Sequence, residues 1–179
     1  LETLSGIKIL NLHVENGKVE SVSVDMGKSQ ILTLGGNTTP FVNQPITAKG
    51  ITMNGTAVSM GNPHLVFFVE NAEIFDVASV GPAFEHHPWF ENRTNVEFAQ
   101  ILSPAKIRMR VWERGSGITM ACGTGACATF AAAKECGLVN GKTTLVLDGG
   151  ELQIENSSTN GDVIMTGPAQ TVFEGKIEI

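Results

Sequence analysis

Apolar and polar residues alternate through Ile7–Val14 and again through Lys18–Val24, with Asn16-Gly17 between the two runs. A period of two is that of a half-buried strand, and Asn-Gly suits the positive φ angles of a type I′ turn, so the pattern predicts a β-hairpin. Residues 31–34 and 45–52 read as short strands separated by a loop that contains Gly35-Gly-Asn-Thr-Thr-Pro40. Two β-prone runs, Ala57–Met60 and Leu65–Val69, are joined by the tight turn Gly61-Asn-Pro-His64. Asp76 is placed to cap a short helix reaching about Glu85, limited by Gly81-Pro82. Strands follow at Val96–Ile101 and Lys106–Glu113, and a meander at Thr143–Asp148, Glu151–Glu155, Asp162–Thr166 and Thr171–Ile179, turning at Gly149-Gly150 and Asn160-Gly161.

One stretch breaks this strand-rich pattern. From Thr119 to Gly137 the residues are mostly small or apolar, with no charge before Lys134, and Gly137 is a natural helix stop. The spacing predicts a helix over about 124–136. A helix that is apolar all round must be buried, so its first turn points into the protein. Cys122 stands at that turn beside Gly123 and Gly125. The unpaired N–H groups and the dipole of a helix N-terminus favour anions, which predicts a carboxylate on the amides of Gly123 and Thr124 and a thiolate at Cys122. Cys127 and Cys136 fall inside the helix, where small apolar residues pack, so Cys122 is expected to be the most reactive of the three thiols.

Other polar groups gather around this stretch. Asn62 and His64 sit in a turn at a strand end, where binding groups are held on a rigid scaffold. Glu113-Arg114 leads straight into Gly115-Ser-Gly117 and the cysteine turn. The planar fork of arginine suits a carboxylate and the glutamate an ammonium, so the pair is matched to a zwitterionic amino acid. His86-His87 has no third ligand at metal-binding spacing, adjacent helix residues point apart, and no metal site is expected. His13 reads as a surface residue.

The chain has 179 residues, enough for one domain with a real core. Three cysteines without a second zinc-type pair predict neither a disulfide framework nor a metal cluster, and a reduced, cytoplasmic setting is the default. A formal charge of -6 without a basic cluster argues against nucleic acid and against anionic membranes, and Leu65–Val69 is too short to span a bilayer.

Five motifs in order resemble diaminopimelate epimerase: Gly61-Asn-Pro-His64, Gly81-Pro followed by Glu85-His-His-Pro88, Arg93-Thr-Asn-Val-Glu-Phe98, Glu113-Arg-Gly-Ser-Gly-Ile-Thr119 and Ala121-Cys-Gly-Thr-Gly-Ala-Cys-Ala128. The resemblance implies an α+β fold, with a strongly curved, mainly antiparallel sheet wrapped around a central Ala-rich helix. That domain would cover residues 25–167, and residues 1–24 and 168–179 would be strands at the junction with another domain. It implies conversion of LL- to meso-diaminopimelate, a step of lysine biosynthesis, without pyridoxal phosphate, other cofactor or metal. Two cysteines would work on opposite faces of the α-carbon, one as thiolate and one as thiol. Here Cys122 would be one of them, supported by Glu113. Asn62, Asn95 and Arg114 would hold the distal end of the substrate, Gly123 and Thr124 the reacting carboxylate, and His64 would face the other cysteine.

The chain departs from the family pattern in lacking the first domain with its Cys-Gly-Asn-Gly helix start. It begins at Leu1 without an initiator methionine, so it reads as part of a longer protein, inactive alone, with the first domain and a second copy of the chain as possible partners. Two alternatives stand beside this reading. One is a proline or hydroxyproline racemase, which would leave Arg114 and the asparagines unexplained. The other is a non-catalytic ligand-binding half-domain that keeps the pocket.

Overall fold

The computed structural model describes residues 1–3 and 6–178. Its elements, in order, are β1 (Glu2–Thr3), β2 (Gly6–Ile7), β3 (Leu10–Glu15), β4 (Lys18–Asp25), β5 (Gln30–Ile31), β6 (Gln44–Ala48), β7 (Ile51–Ser59), β8 (Pro63–Phe68), α1 (Val77–Glu85), β9 (Asn95–Ser103), β10 (Lys106–Glu113), β11 (Gly117–Ile118), α2 (Gly123–Glu135), β12 (Thr143–Leu147), β13 (Gly150–Asn156) and β14 (Val163–Pro168). Strands β3 to β14 form one sheet in the order β3-β4-β14-β13-β12-β10-β9-β8-β7-β5, with β6 on β7 and β11 on β10.

Every pairing is antiparallel except β8 with β9 and β10 with β12. A parallel pair needs a long crossover, and the two helices supply it: α1 lies between β8 and β9, α2 between β10 and β12. Helix α2 touches β7, β8, β9, β10, β12, β13 and β14. One helix can meet seven strands of one sheet only if the sheet curves around it, and the fold is the α+β arrangement expected. Cys122 is the N-cap of α2, its Sγ accepting from the Gly125 N–H at 3.3 Å, and Cys136 is the C-cap.

The central strands are buried on both faces. On one face Val58, Val66, Ala99, Met109 and Val111 pack on Ala126, Cys127 and Phe130 of α2. On the other, Ala57, Leu65, Phe67, Val96 and Phe98 pack on Val77, Ala83 and Phe84 of α1. Strand parity therefore assigns side chains: His64, Glu97 and Glu113 share the α2 face with Val66 and Val111, while Trp112 belongs to the α1 face.

The hairpin at Asn16-Gly17 forms as expected, with φ of 50° and 77° at the two turn residues. Three expectations need correction. Residues 45–52 are not one strand, because Lys49 and Gly50 take positive φ and reverse the chain between β6 and β7. Helix α1 reaches Glu85 and is capped by Asp76 as expected, Asp76 accepting from Ser79 N–H at 3.1 Å, but Gly81-Pro82 does not limit it, and it continues through Pro82 anchored by buried Val77, Ala83 and Phe84. Residues 171–178 form no strand, and Ile179 lies outside the described residues. Strands β3 and β4, in the segment assigned to a junction, continue the main sheet through β14. Among the described residues no helix is long and apolar enough to cross a membrane.

Candidate active site

Strands β8 and β9 start, and β10 ends, at the same end of the sheet. Registry pairs His64 with Asn95 and Val111 with Glu97, and the Gly115–Gly117 turn then carries the chain to α2. Both glycines of that turn have φ of 79°, a conformation costly for residues with a Cβ. The turn is held from below. Buried Glu85, at the end of α1, accepts from Gly115 N–H at 3.0 Å, Trp112 Nε1 at 2.7 Å and Arg93 at 2.9 Å. Asn95 Oδ1 accepts from the Arg114 backbone N–H at 2.8 Å.

A continuous chain of contacts runs from the sheet to the cysteine. Glu97 Oε1 lies 2.7 Å from His64 Nδ1, and His64 Nε2 lies 3.2 Å from Asn62 Oδ1. Asn62 Nδ2 donates to Thr124 Oγ1 at 3.3 Å, and Thr124 Oγ1 is 3.7 Å from Cys122 Sγ. His64 and Glu97 are wholly buried. Both ring nitrogens of His64 are thus engaged, and the imidazole reaches the cysteine turn through Asn62 instead of presenting a nitrogen to a ligand. Glu113, half-buried, accepts from the Thr119 hydroxyl.

Cys122 is buried, with 8% of its surface exposed. Burial, then the negative charge of Glu97, pushes its thiol up to about 12, against the pull of Gly125 N–H and the Thr124 hydroxyl. The helix terminus favours thiolate at Cys122, while desolvation and a carboxylate oppose it. Cys127 is fully buried and also raised to about 12 by burial. The N–H groups of Gly123 and Thr124, in the first turn of α2, have no intrahelical acceptor.

Two clefts meet at Asn62. One, of about 420 Å³, is lined by Asn62, Pro63, Asn92, Arg93 and Arg114, among others; the second, of about 510 Å³, by Lys8, Met26, Met60, Gly61, Asn62 and Thr124. A larger cleft of about 740 Å³, between residues 17–20 and 169–171, contains none of these groups. Arg114 is exposed, with Nη1 donating to Asn92 O at 2.9 Å. Among the described residues no three His, Cys, Asp or Glu side chains are grouped to hold a metal ion. To the candidates expected from the sequence the structure adds Arg93, Trp112 and Thr119, and two buried carboxylates, Glu97 and Glu85. The signal for the carboxylates was a charge at an inward strand position, in Val96-Glu97-Phe98-Ala99, and one at a helix end beside buried Phe84.

The diaminopimelate epimerase family model matches residues 56–172, which span the whole cluster. The chain belongs to the diaminopimelate epimerase family. It is 48% identical over its full length to the diaminopimelate epimerase of Methanococcus maripaludis, covering 66% of that protein. It is 52% identical, again over its full length, to that of Phocaeicola vulgatus, covering 65%. It thus spans just under two thirds of the length of these curated relatives. Among solved structures it is similar to a hydroxyproline epimerase from Agrobacterium vitis, with a TM-score of 0.68 at 15% identity over 93% of this chain and 55% of that one. A probable proline racemase from Agrobacterium radiobacter gives a TM-score of 0.63 at 17% identity, over 97% of this chain and 59% of that one. At such identities these two show a shared fold alone. In the epimerase family, then, this chain places a cysteine at the N-cap of its central helix, with the Thr124 hydroxyl 3.7 Å from the sulfur and the Asn62 amide beyond it.

Proposed function

We propose that the chain supplies one half of a cofactor-independent diaminopimelate epimerase site, with Cys122 as the acid/base on one face of the α-carbon. The observation that carries this reading is the convergence at one sheet end of Cys122, the N–H groups of Gly123 and Thr124, which have no intrahelical acceptor, and Asn62, which borders both clefts. The reacting carboxylate sits on those N–H groups, where negative charge developing on the α-carbon and carboxylate meets the positive end of α2. Glu113 receives an ammonium group, which offsets a carboxylate charge that otherwise opposes the Cys122 thiolate. Arg114, with Asn62 and Asn95, serves the distal amino-acid end, and His64 acts by holding Asn62.

Proton removal from one face and return to the other needs a second acid. Cys127 and Cys136 lie along α2, beyond its first turn, and do not reach the opposite face of a carbon held at Cys122. The reading assigns that acid to a further domain, which packs on the segments 1–24 and 168–179. Ile7, Ile9, Leu12, Val172, Phe173 and Ile177 are each more than half exposed there, an apolar surface that supports such a contact. Calorimetric titration with diaminopimelate and with proline tests the substrate class. Binding of diaminopimelate, lost on Arg114→Ala, with no binding of proline is the expected result; binding of proline with Arg114 irrelevant would overturn it.

A further inference from the structure

Glu97 is the one buried carboxylate beneath the cysteine turn with an oxygen left over. Its Oε2 is buried with no hydrogen-bond partner among the described residues, while Oε1 holds His64 at 2.7 Å. The position a Cβ would take on Gly125 is 2.7 Å from Oε1 and 3.1 Å from Cys122 Sγ, so carboxylate and sulfur lie within about 6 Å of each other. An isolated carboxylate with a bare oxygen is poorly tolerated in such a place, and burial accordingly raises the pKa of Glu97.

The hydrogen-bond directions follow from the way the Asn62 amide is turned. Asn62 presents Oδ1 to His64 and Nδ2 to Thr124. His64 Nε2 must therefore carry a hydrogen, and Thr124 Oγ1, having accepted from Asn62, has its own hydrogen to give to Cys122 Sγ. With Nε2 protonated, the short contact between Nδ1 and Oε1 also requires a proton between them. Loss of one proton from the pair leaves a neutral imidazole beside a carboxylate, and the tautomer that keeps the short contact carries its hydrogen on Nδ1, leaving Nε2 without one. Asn62 then has to turn over, and Thr124 donates to Asn62 instead of to the sulfur.

We propose that Glu97 is a positioning residue that acts through His64: the proton they share points the chain from His64 through Asn62 and Thr124 toward Cys122, favouring thiolate, and its loss reverses the chain and favours thiol. The control belongs to the acid/base role proposed above for Cys122 and rests on that reading. Glu113 on β10 also faces Glu97 and Cys122, and Lys8 borders the cleft beside Thr124, so both contribute to the charge balance.

The test needs no substrate, so it can fail independently of the epimerase reading. In the full chain, nitrogen-15 NMR of His64 at neutral pH is expected to show a protonated Nε2; an Nε2 without hydrogen overturns the proposal. Mapped iodoacetamide alkylation then reads Cys122 as a function of pH. Glu97→Gln, in which no negative charge forms on the pair, is expected to move the Cys122 profile to lower pH and speed alkylation about tenfold above the pH at which the unsubstituted pair loses its proton. Thr124→Val, which lacks the hydroxyl donor, is expected to slow it by a similar factor. Profiles unchanged in both variants overturn the proposal. Should Glu97→Gln fail to fold, the His64 spectrum of the unsubstituted chain still decides it.

Discussion

Gly125 is where the helix and the buried carboxylate compete for the same space. In an ordinary helix, Gly→Ala stabilises by about 1 kcal/mol. At Gly125 the added Cβ would lie 2.7 Å from Glu97 Oε1 and 3.1 Å from Cys122 Sγ, against an ordinary contact of 3.4 Å or more. Relief needs a movement of about 0.7 Å by a carboxylate that is wholly buried and bonded to His64 at 2.7 Å, which stretches that bond beyond useful length. Loss of a charge-assisted hydrogen bond costs about 1.5–3 kcal/mol. Set against the helix gain, Gly125→Ala is expected to lose about 0.5–2 kcal/mol and to lower Tm by roughly 1–8 °C in a chain of this size. Gly123→Ala, two positions earlier, is the internal control. Its Cβ meets the Met165 sulfur at 3.3 Å, near the end of a flexible side chain that can yield, so its Tm should stay within about 2 °C of the parent. Thermal unfolding followed by circular dichroism measures both. A Gly125→Ala variant as stable as the parent or more so would refute the packing described here.

Other substitutions test other parts of the structure. Burial pushes the Glu85 carboxyl up, but hydrogen bonds from Trp112 and Gly115 outweigh it and hold it below the ordinary value of 4.5. Its contribution is therefore complete above about pH 4.5 and lost as pH falls through the lower, folded value, so urea midpoints should drop in that acid window and drop less in Glu85→Gln. At neutral pH, Glu85→Ala should destabilise by about 2–4 kcal/mol, by orphaning Trp112 and the Gly115 turn; a loss below about 0.5 kcal/mol in urea unfolding would count against it. Arg114→Lys should weaken diaminopimelate binding about tenfold although charge is kept, because an ammonium cannot form the bidentate pair, and equal affinity by calorimetry would remove Arg114 from the site. In the unliganded chain, mass-spectrometric mapping should find half-buried Cys136 alkylated ahead of Cys122, whose thiol is buried and raised to about 12; the reverse order would contradict that electrostatic picture.

How much of this was legible in the sequence depends on whether the cause was local. Helix α2 falls within one residue of expectation because its Gly-rich start, alanine run and Gly137 stop are properties of the chain itself. The same holds for β10, whose alternation is clear, and for the Asn16-Gly17 turn. The reversal at Lys49-Gly50 carries a weaker signal, since a lysine at φ of 49° is held there by the pairing of β6 with β7. The apolar spacing of 171–178 matched a strand, yet β14 ends at Pro168 and 171–178 pair with no strand among the described residues. The motifs singled out Cys122, Asn62, His64, Asn95 and Glu113, which the structure brings to one end of the sheet. What they could not convey is depth: the helix field at Cys122 is a one-dimensional inference, whereas its raised pKa comes from the burial of the thiol and from Glu97, brought beneath it by the parallel pairing of β8 with β9.

Deuterium exchange at the α-carbon tests the central claim most directly. LL-diaminopimelate is incubated with this chain in D₂O, and deuterium uptake is followed by mass spectrometry together with the stereochemistry of the recovered amino acid. A site with one acid/base at Cys122 predicts α-deuteration without sustained inversion, and its loss in Cys122→Ala. Exchange that survives Cys122→Ala, sustained inversion by the chain alone, or bound diaminopimelate that never exchanges would contradict the account.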